Sequence, residues 1–385
     1  MRLPRATVFS SCVGLCVISL AARSITMHKP SEANNKLHVL YRSLRDRVDP
    51  ERWPDRAAVK KLWRGLHRAS NGTVQPNHFE DGHGPLQVTA FWPKRCTMTD
   101  PCHHSDDDAA ALAIFRDARR QIFAPLVAEL RSGMRPVSQA VADRGLWVPS
   151  EASLHVIVRV FSEHPSLLEP KEAKAWRPVS ETQCEALGEA VGAHLATHQY
   201  EQRSGRRQGA NGPPRHMGLV VHSYALTADG SMLILFEEEE AAGTTAGVSV
   251  LSLREELGAV GEAVLGPLNS RPKALLHLSV MRLLDWPDEE VLSEGERAHI
   301  SATVRKWTEA LARDRLPSGG AVPSLGAPVR LSALELVRDV NWMRTDRKTY
   351  RRYCLGRYER TGGCGKRREG EHKGERVCWS GLVCT

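Results

Sequence analysis

Leu154-His155-Val156-Ile157-Val158, followed by Glu163-His164-Pro165, has a second copy in Leu276-His277-Leu278-Ser279-Val280, followed by Asp285-Trp286-Pro287. Each copy opens on a Leu-His pair and runs into β-branched and aliphatic residues, then reaches a valine, an acidic residue and a proline at matching offsets. Alternating runs of this kind predict half-buried strands. Two copies predict a duplicated fold in which each half offers one imidazole. Residues two apart on a strand share a face, so His277 and Ser279 are expected side by side, with Leu278 and Val280 turned into the core. A facing pair of imidazoles can act as general base and general acid.

The elements around these strands extend the pattern. Helical spacing runs over Lys36–Val48 and Asp55–Ala69, with Asn71-Gly72 as a stop for the second helix. Leu86–Trp92 alternates as a strand. Asp106–Gly133 reads as one long amphipathic helix, Ser180-Glu181 opens another that reaches about Tyr200, and Val250–Leu265 and Ser293–Arg313 are further helices. Thr227-Ala228-Asp229-Gly230 joins Leu219–Leu226 to Met232–Phe236 as a hairpin, because Asp-Gly suits the tight turn. Val329–Val340 supplies a last strand or strand pair.

Taken together these elements resemble the two-histidine (2H) phosphoesterase superfamily, which includes the RNA 2′,3′-cyclic phosphodiesterases. Its mark is a pair of H-x-[ST]-x motifs on strands of a duplicated fold. The resemblance covers roughly Leu86 to Trp342 and includes the Asp229-Gly230 hairpin and the closing Leu334-Glu335-Leu336-Val337-Arg338-Asp339 strand. It implies an α+β architecture: a duplicated, two-lobed fold whose antiparallel sheets form a central cleft, with helices outside. It also implies hydrolysis of a 2′,3′-cyclic phosphate on a nucleotide or RNA end, without cofactor or metal, by His155 and His277. Ser279 would bind the phosphate. The first motif departs from the family pattern, with Ile157 where Ser or Thr is expected. Ser153 and Arg159 are the candidates to replace that hydroxyl on the strand face of His155. The departure keeps open a second reading, a catalytically impaired module that binds nucleotide or RNA in the same cleft.

Charge and targeting signals frame this domain. The net charge is +8, yet Arg344–Arg376 carries twelve Lys/Arg against five Asp/Glu, so the rest of the chain is close to neutral. That concentration predicts a basic, disordered tail over residues 346–385, with an anionic surface or nucleic acid as its candidate partner. Residues 1–24 carry Arg2 and Arg5 before an uncharged stretch from Ala6 to Ala22, the pattern of a secretory signal. An uncleaved membrane anchor is the second reading and an organelle presequence the third. On the secretory route Asn71-Gly72-Thr73 becomes a glycosylation acceptor, and a secreted or membrane-attached glycoprotein of unrelated role is a further class. The expected organisation is therefore a leader (1–24), a helical extension (31–76), the two-histidine domain (84–345) and the tail (346–385). Cys102-His103-His104-Ser105 before Asp106-Asp107-Asp108 is read as a helix start complementing the macrodipole, His222 as a third histidine without motif spacing, and Glu237–Glu240 as a solvated edge.

Overall fold

The computed structural model describes residues 32–63, 65–70, 74–92, 106–168, 170–204, 217–239, 249–270, 274–287, 290–331, 333–343 and 346–354. In chain order the elements are α1 (Glu32–Asp46), α2 (Arg56–Trp63), β1 (Leu66–Arg68), β2 (Val74–Pro76), β3 (Leu86–Trp92), α3 (Asp106–Ala118), α4 (Ala124–Ser132), α5 (Pro136–Gly145), β4 (Leu146–Trp147), β5 (Leu154–Ser162), α6 (Pro170–Ala175) and α7 (Glu181–Ser204). They continue with β6 (Met217–Leu226), β7 (Ser231–Glu238), α8 (Val250–Leu265), β8 (His277–Leu283), α9 (Glu294–Ala312), β9 (Pro328–Leu331), β10 (Ala333–Asp339) and β11 (Arg347–Cys354). The fold is α+β.

Two antiparallel sheets carry the architecture, one in the order β11-β10-β3-β5 and the other in the order β4-β8-β7-β6-β9. Counted outward from the histidine strand, β5-β3-β10-β11 and β8-β7-β6-β9 have the same form. Only the two-residue β4, paired with Leu283 and Arg282, lies outside β8. The central strand β3 is buried along its whole length, as expected for a strand covered on both faces. The hairpin forms at the Asp-Gly signal, where Gly230 takes a φ of 75° that an L side chain rarely adopts.

Several elements depart from the sequence reading for identifiable reasons. The long helix over Asp106–Gly133 is interrupted by a π turn at Arg119–Phe123. Pro125 follows at once and cannot donate to the Gln121 carbonyl, so the helix widens there. The helix begun at Arg56 stops at Trp63, and Leu66–Arg68 pairs with Val74–Pro76 instead. Leu66 is buried in a small cluster with Leu284 and Met343, a tertiary contact that outweighs local helix preference. Val329–Val340 divides between the sheets, β9 pairing with β6 and β10 with β3 and β11.

Two boundaries also move. The α1 helix is no appendage: Tyr41 is fully buried, its hydroxyl donates to the Phe236 carbonyl, and it lies 3.1 Å from that of Leu276. The basic tail does not begin in disorder, because Arg347–Cys354 is an ordered edge strand on β10. Tyr353 is buried there and donates to the Gly188 carbonyl at 3.0 Å, while Arg351 pairs with Glu189 at 2.5 Å. A row of Lys and Arg is a common device for keeping such an edge from pairing with other chains. Among the described residues no helix is long and apolar enough to cross a membrane.

Candidate functional site

The histidine strands meet where the sheets abut, with β5 lying against β8. In β5 the register pairs Phe91 with His155 and Thr89 with Ile157. In β8, Leu235 faces His277 and Leu233 faces Ser279. Alternation turns Val156 and Val280 fully into the core and leaves His155, Ile157, His277 and Ser279 half-buried. These four side chains line a single cleft that opens to solvent, with Trp147 and Met343 at its wall.

His155 Nδ1 lies 2.8 Å from the Ser153 carbonyl. A carbonyl only accepts, so Nδ1 carries a proton, and in the neutral ring the lone pair is then the one on Nε2. Ser153 also lines the cleft, but its hydroxyl donates to the Ser150 carbonyl at 2.8 Å. The Phe91 ring sits 5.6 Å from that of His155, and the Arg347 guanidinium lies 3.8 Å over the other aromatic centroid, that of Phe91. A cation therefore stands one ring away from the imidazole, a useful position for attracting an anion. Sequence reasoning assigned Arg347 to the tail. No local signal links residue 347 to residue 91; only the order of the strands does.

Arg254 of α8 joins the two histidine strands. It is buried, its Nε donates to the Val158 carbonyl at 2.7 Å, and a terminal nitrogen donates to Ile157 at 3.1 Å and Leu275 at 3.4 Å. Burial pulls its pKa down to about 10, which still leaves a cation at neutral pH. The carbonyls it holds lie two and three residues beyond His155 and two residues before His277. One guanidinium thus ties the backbone of both lobes beside the cleft.

Arg159 sits elsewhere. The register of β5 slips between Val88 and Thr89, leaving Val158 without a partner. A bulge of this kind re-aims the residues that follow. Arg159 is buried and packs on α8, its guanidinium 3.2 Å from where a Cβ on Gly258 would stand. Burial lowers its pKa and the charge of Glu262 opposes that shift. It is not among the residues lining the cleft. Asn71, the leader at 1–24, the Cys102–Ser105 segment and the tail beyond Cys354 lie outside the described residues.

No family model matches the sequence. No curated protein matches it either. Among solved structures, this chain is similar to a conserved protein of unknown function from Agrobacterium tumefaciens, at 12% identity and a TM-score of 0.30, covering 74% of this chain and 96% of that one.

Proposed function

We propose that this chain is a phosphodiesterase that opens the 2′,3′-cyclic phosphate of a nucleotide or RNA end with two imidazoles and no metal in the reaction. The observation that supports it is the shared cleft: His155 and His277, far apart in sequence, line the same space with Ser279 beside the second. In the proposed reaction the Nε2 lone pair of His155 takes a proton from water as its oxygen bonds to phosphorus. The bond from phosphorus to one ribose oxygen breaks, and protonated His277 gives its proton to that leaving oxygen. Ser279 donates to a non-bridging oxygen, and Arg347 supplies long-range attraction for the phosphate. The secretory localisation and the anionic partner of the tail remain expectations from the sequence.

The test is turnover of a 2′,3′-cyclic mononucleotide and of an RNA oligonucleotide with a cyclic end, in excess chelator, by the full-length protein. Replacing His155 or His277 by alanine should each reduce the rate by about 10²–10⁴-fold, the usual contribution of a positioned acid or base. Full activity in either variant, or no turnover by the unmodified protein, refutes the reading. One observation favours the binding module as second reading: Ile157 lines the cleft where the family resemblance places a hydroxyl. Saturable binding of the cyclic nucleotide without conversion would establish that alternative.

A further inference from the structure

A second constellation of histidines lies outside the cleft lining, on the hairpin and the helix that covers it. Glu237 Oε2 is 2.6 Å from His38 Nε2 and 3.5 Å from His222 Nδ1. The two imidazole rings stack with centroids 4.2 Å apart and planes inclined by 14°. All three side chains are half-buried, and one donor atom from each falls within 4.8 Å of the others. The residues come from three elements, α1, β6 and β7, which is why nothing in their sequence spacing announces them.

The backbone explains how they converge. The hairpin register runs Ser223↔Leu235 and then Val221↔Phe236, so His222 has no partner and occupies a bulge. Bulges re-aim a side chain, and here His222 comes beside Glu237. Helix α1 is pinned over this point because Asn34 donates to the Glu238 carbonyl at 3.0 Å and Tyr41 donates to that of Phe236. His38 lies between those anchors. Glu237 is therefore no solvated edge residue. The hydrogen bond from His222 is the largest influence holding its carboxyl below the usual range; burial opposes it, and His38 adds to the lowering.

We infer that His38, His222 and Glu237 form a binding site for a divalent transition-metal cation of the zinc class, separate from the His155–His277 cleft. Two imidazole nitrogens and one carboxylate oxygen are the three-ligand set that zinc accepts with a water in its fourth position. Side-chain exposures of 22–27% leave room for that water. A cation about 2.0–2.2 Å from each donor needs the ring lone pairs to point at it, so binding requires the stacked imidazoles to fan apart by side-chain rotation. The site clamps α1 to the hairpin, and so steadies the helix whose Tyr41 touches the residue preceding His277.

The experiment is titration of the full-length protein with Co²⁺ as a spectroscopic stand-in, followed by displacement with Zn²⁺. The expected result is one equivalent with visible d–d absorption from nitrogen and oxygen ligands, and a zinc-dependent rise in melting temperature. Losing even an outer-shell partner weakens metal sites by about 10–100-fold, so Glu237→Gln and His38→Gln should each lose at least the upper end of that range. Glu237→Gln preserves size, and its far-UV spectrum is the check that it folds. No uptake, equal uptake by the variants, or cobalt–thiolate charge-transfer bands with unchanged stoichiometry in the variants overturns the assignment.

Discussion

Ile157→Thr should increase cleavage. Ile157 and Ser279 hold equivalent positions, each two residues beyond its histidine and each lining the cleft. Threonine keeps the β-branch that suits a strand and replaces the ethyl arm by a hydroxyl. The backbone of Ile157 is held by Arg254 through its carbonyl, so the exchange leaves that contact in place. A hydrogen bond to a charged group contributes about 1.5–3 kcal/mol. At 1.36 kcal/mol per factor of ten, that is roughly 10–150-fold if the bond strengthens in the transition state. Removal of the ethyl arm from a half-buried site should cost about 0.5–1.5 kcal/mol of stability, by analogy with Ile→Val. The assay is kcat/KM on a 2′,3′-cyclic mononucleotide, with a denaturant melt to confirm the fold. A folded Ile157→Thr protein with unchanged or lower kcat/KM would refute the idea that this face binds the phosphate.

Three further outcomes follow from the same contacts. Replacing Arg254 by lysine keeps the charge but loses the fork that spans Val158, Ile157 and Leu275. It should cost about 3–6 kcal/mol of stability, two hydrogen bonds to a charged group being lost, and should lower kcat more than it raises KM, read by urea melts and steady-state kinetics. Gly261→Ala meets the Phe161 ring at 2.5 Å, so overpacking of about 1–3 kcal/mol should exceed the helix gain of about 1 kcal/mol, and a rise in melting temperature would contradict it. Glu296 is buried at 3% exposure; burial alone would raise its pKa, but the backbone N–H groups of Arg135 and Ser293, with the Ser293 hydroxyl, hold it far below the usual range. Because the folded value is the lower one, its stabilisation is complete above the unfolded value of about 4.3 and fades as pH falls towards the folded one. Melts of Glu296→Gln should show a deficit of about 1.5–3 kcal/mol at pH 7 that shrinks on acidification, and a pH-independent deficit would refute the linkage.

The parts of the fold legible in the sequence were those set by local chemistry. Leu86–Trp92 and Val250–Leu265 lie where the apolar pattern places them, and Ser293 caps α9 with Glu296 in a reciprocal capping box. Errors arose where a distant partner decides the outcome. Leu66 leaves the helix for a cluster with Leu284 and Met343, and Arg347–Cys354 becomes a strand because β10 offers an edge and α7 offers acids. Within the cleft, strict alternation was enough to set Ile157 beside His155 and Ser279 beside His277. It failed one residue later, at Val158, because a bulge leaves no trace in a run of β-branched residues. His222 was missed as a partner of Glu237 for the same reason.

These bulges also bear on how the cleft keeps its shape. An acid–base pair needs its two groups held to within a fraction of an ångström, and strands in separate sheets have no shared ladder to do this. The coupling comes from behind the strands. Arg254 takes up the carbonyl of Val158, the residue that the bulge leaves without a partner on β3, and the same guanidinium reaches Leu275 before β8. Tyr41 bonds Phe236 on β7 and touches the adjoining residue Leu276. If these bonds set the separation of the histidines, Tyr41→Phe, which removes one hydroxyl that does not line the cleft, should reduce kcat by several-fold while leaving the affinity for a cyclic nucleotide unchanged. A hydroxyl that served stability alone would lower the melting temperature and leave kcat intact, and that pattern would show the cleft to be held by the sheets themselves.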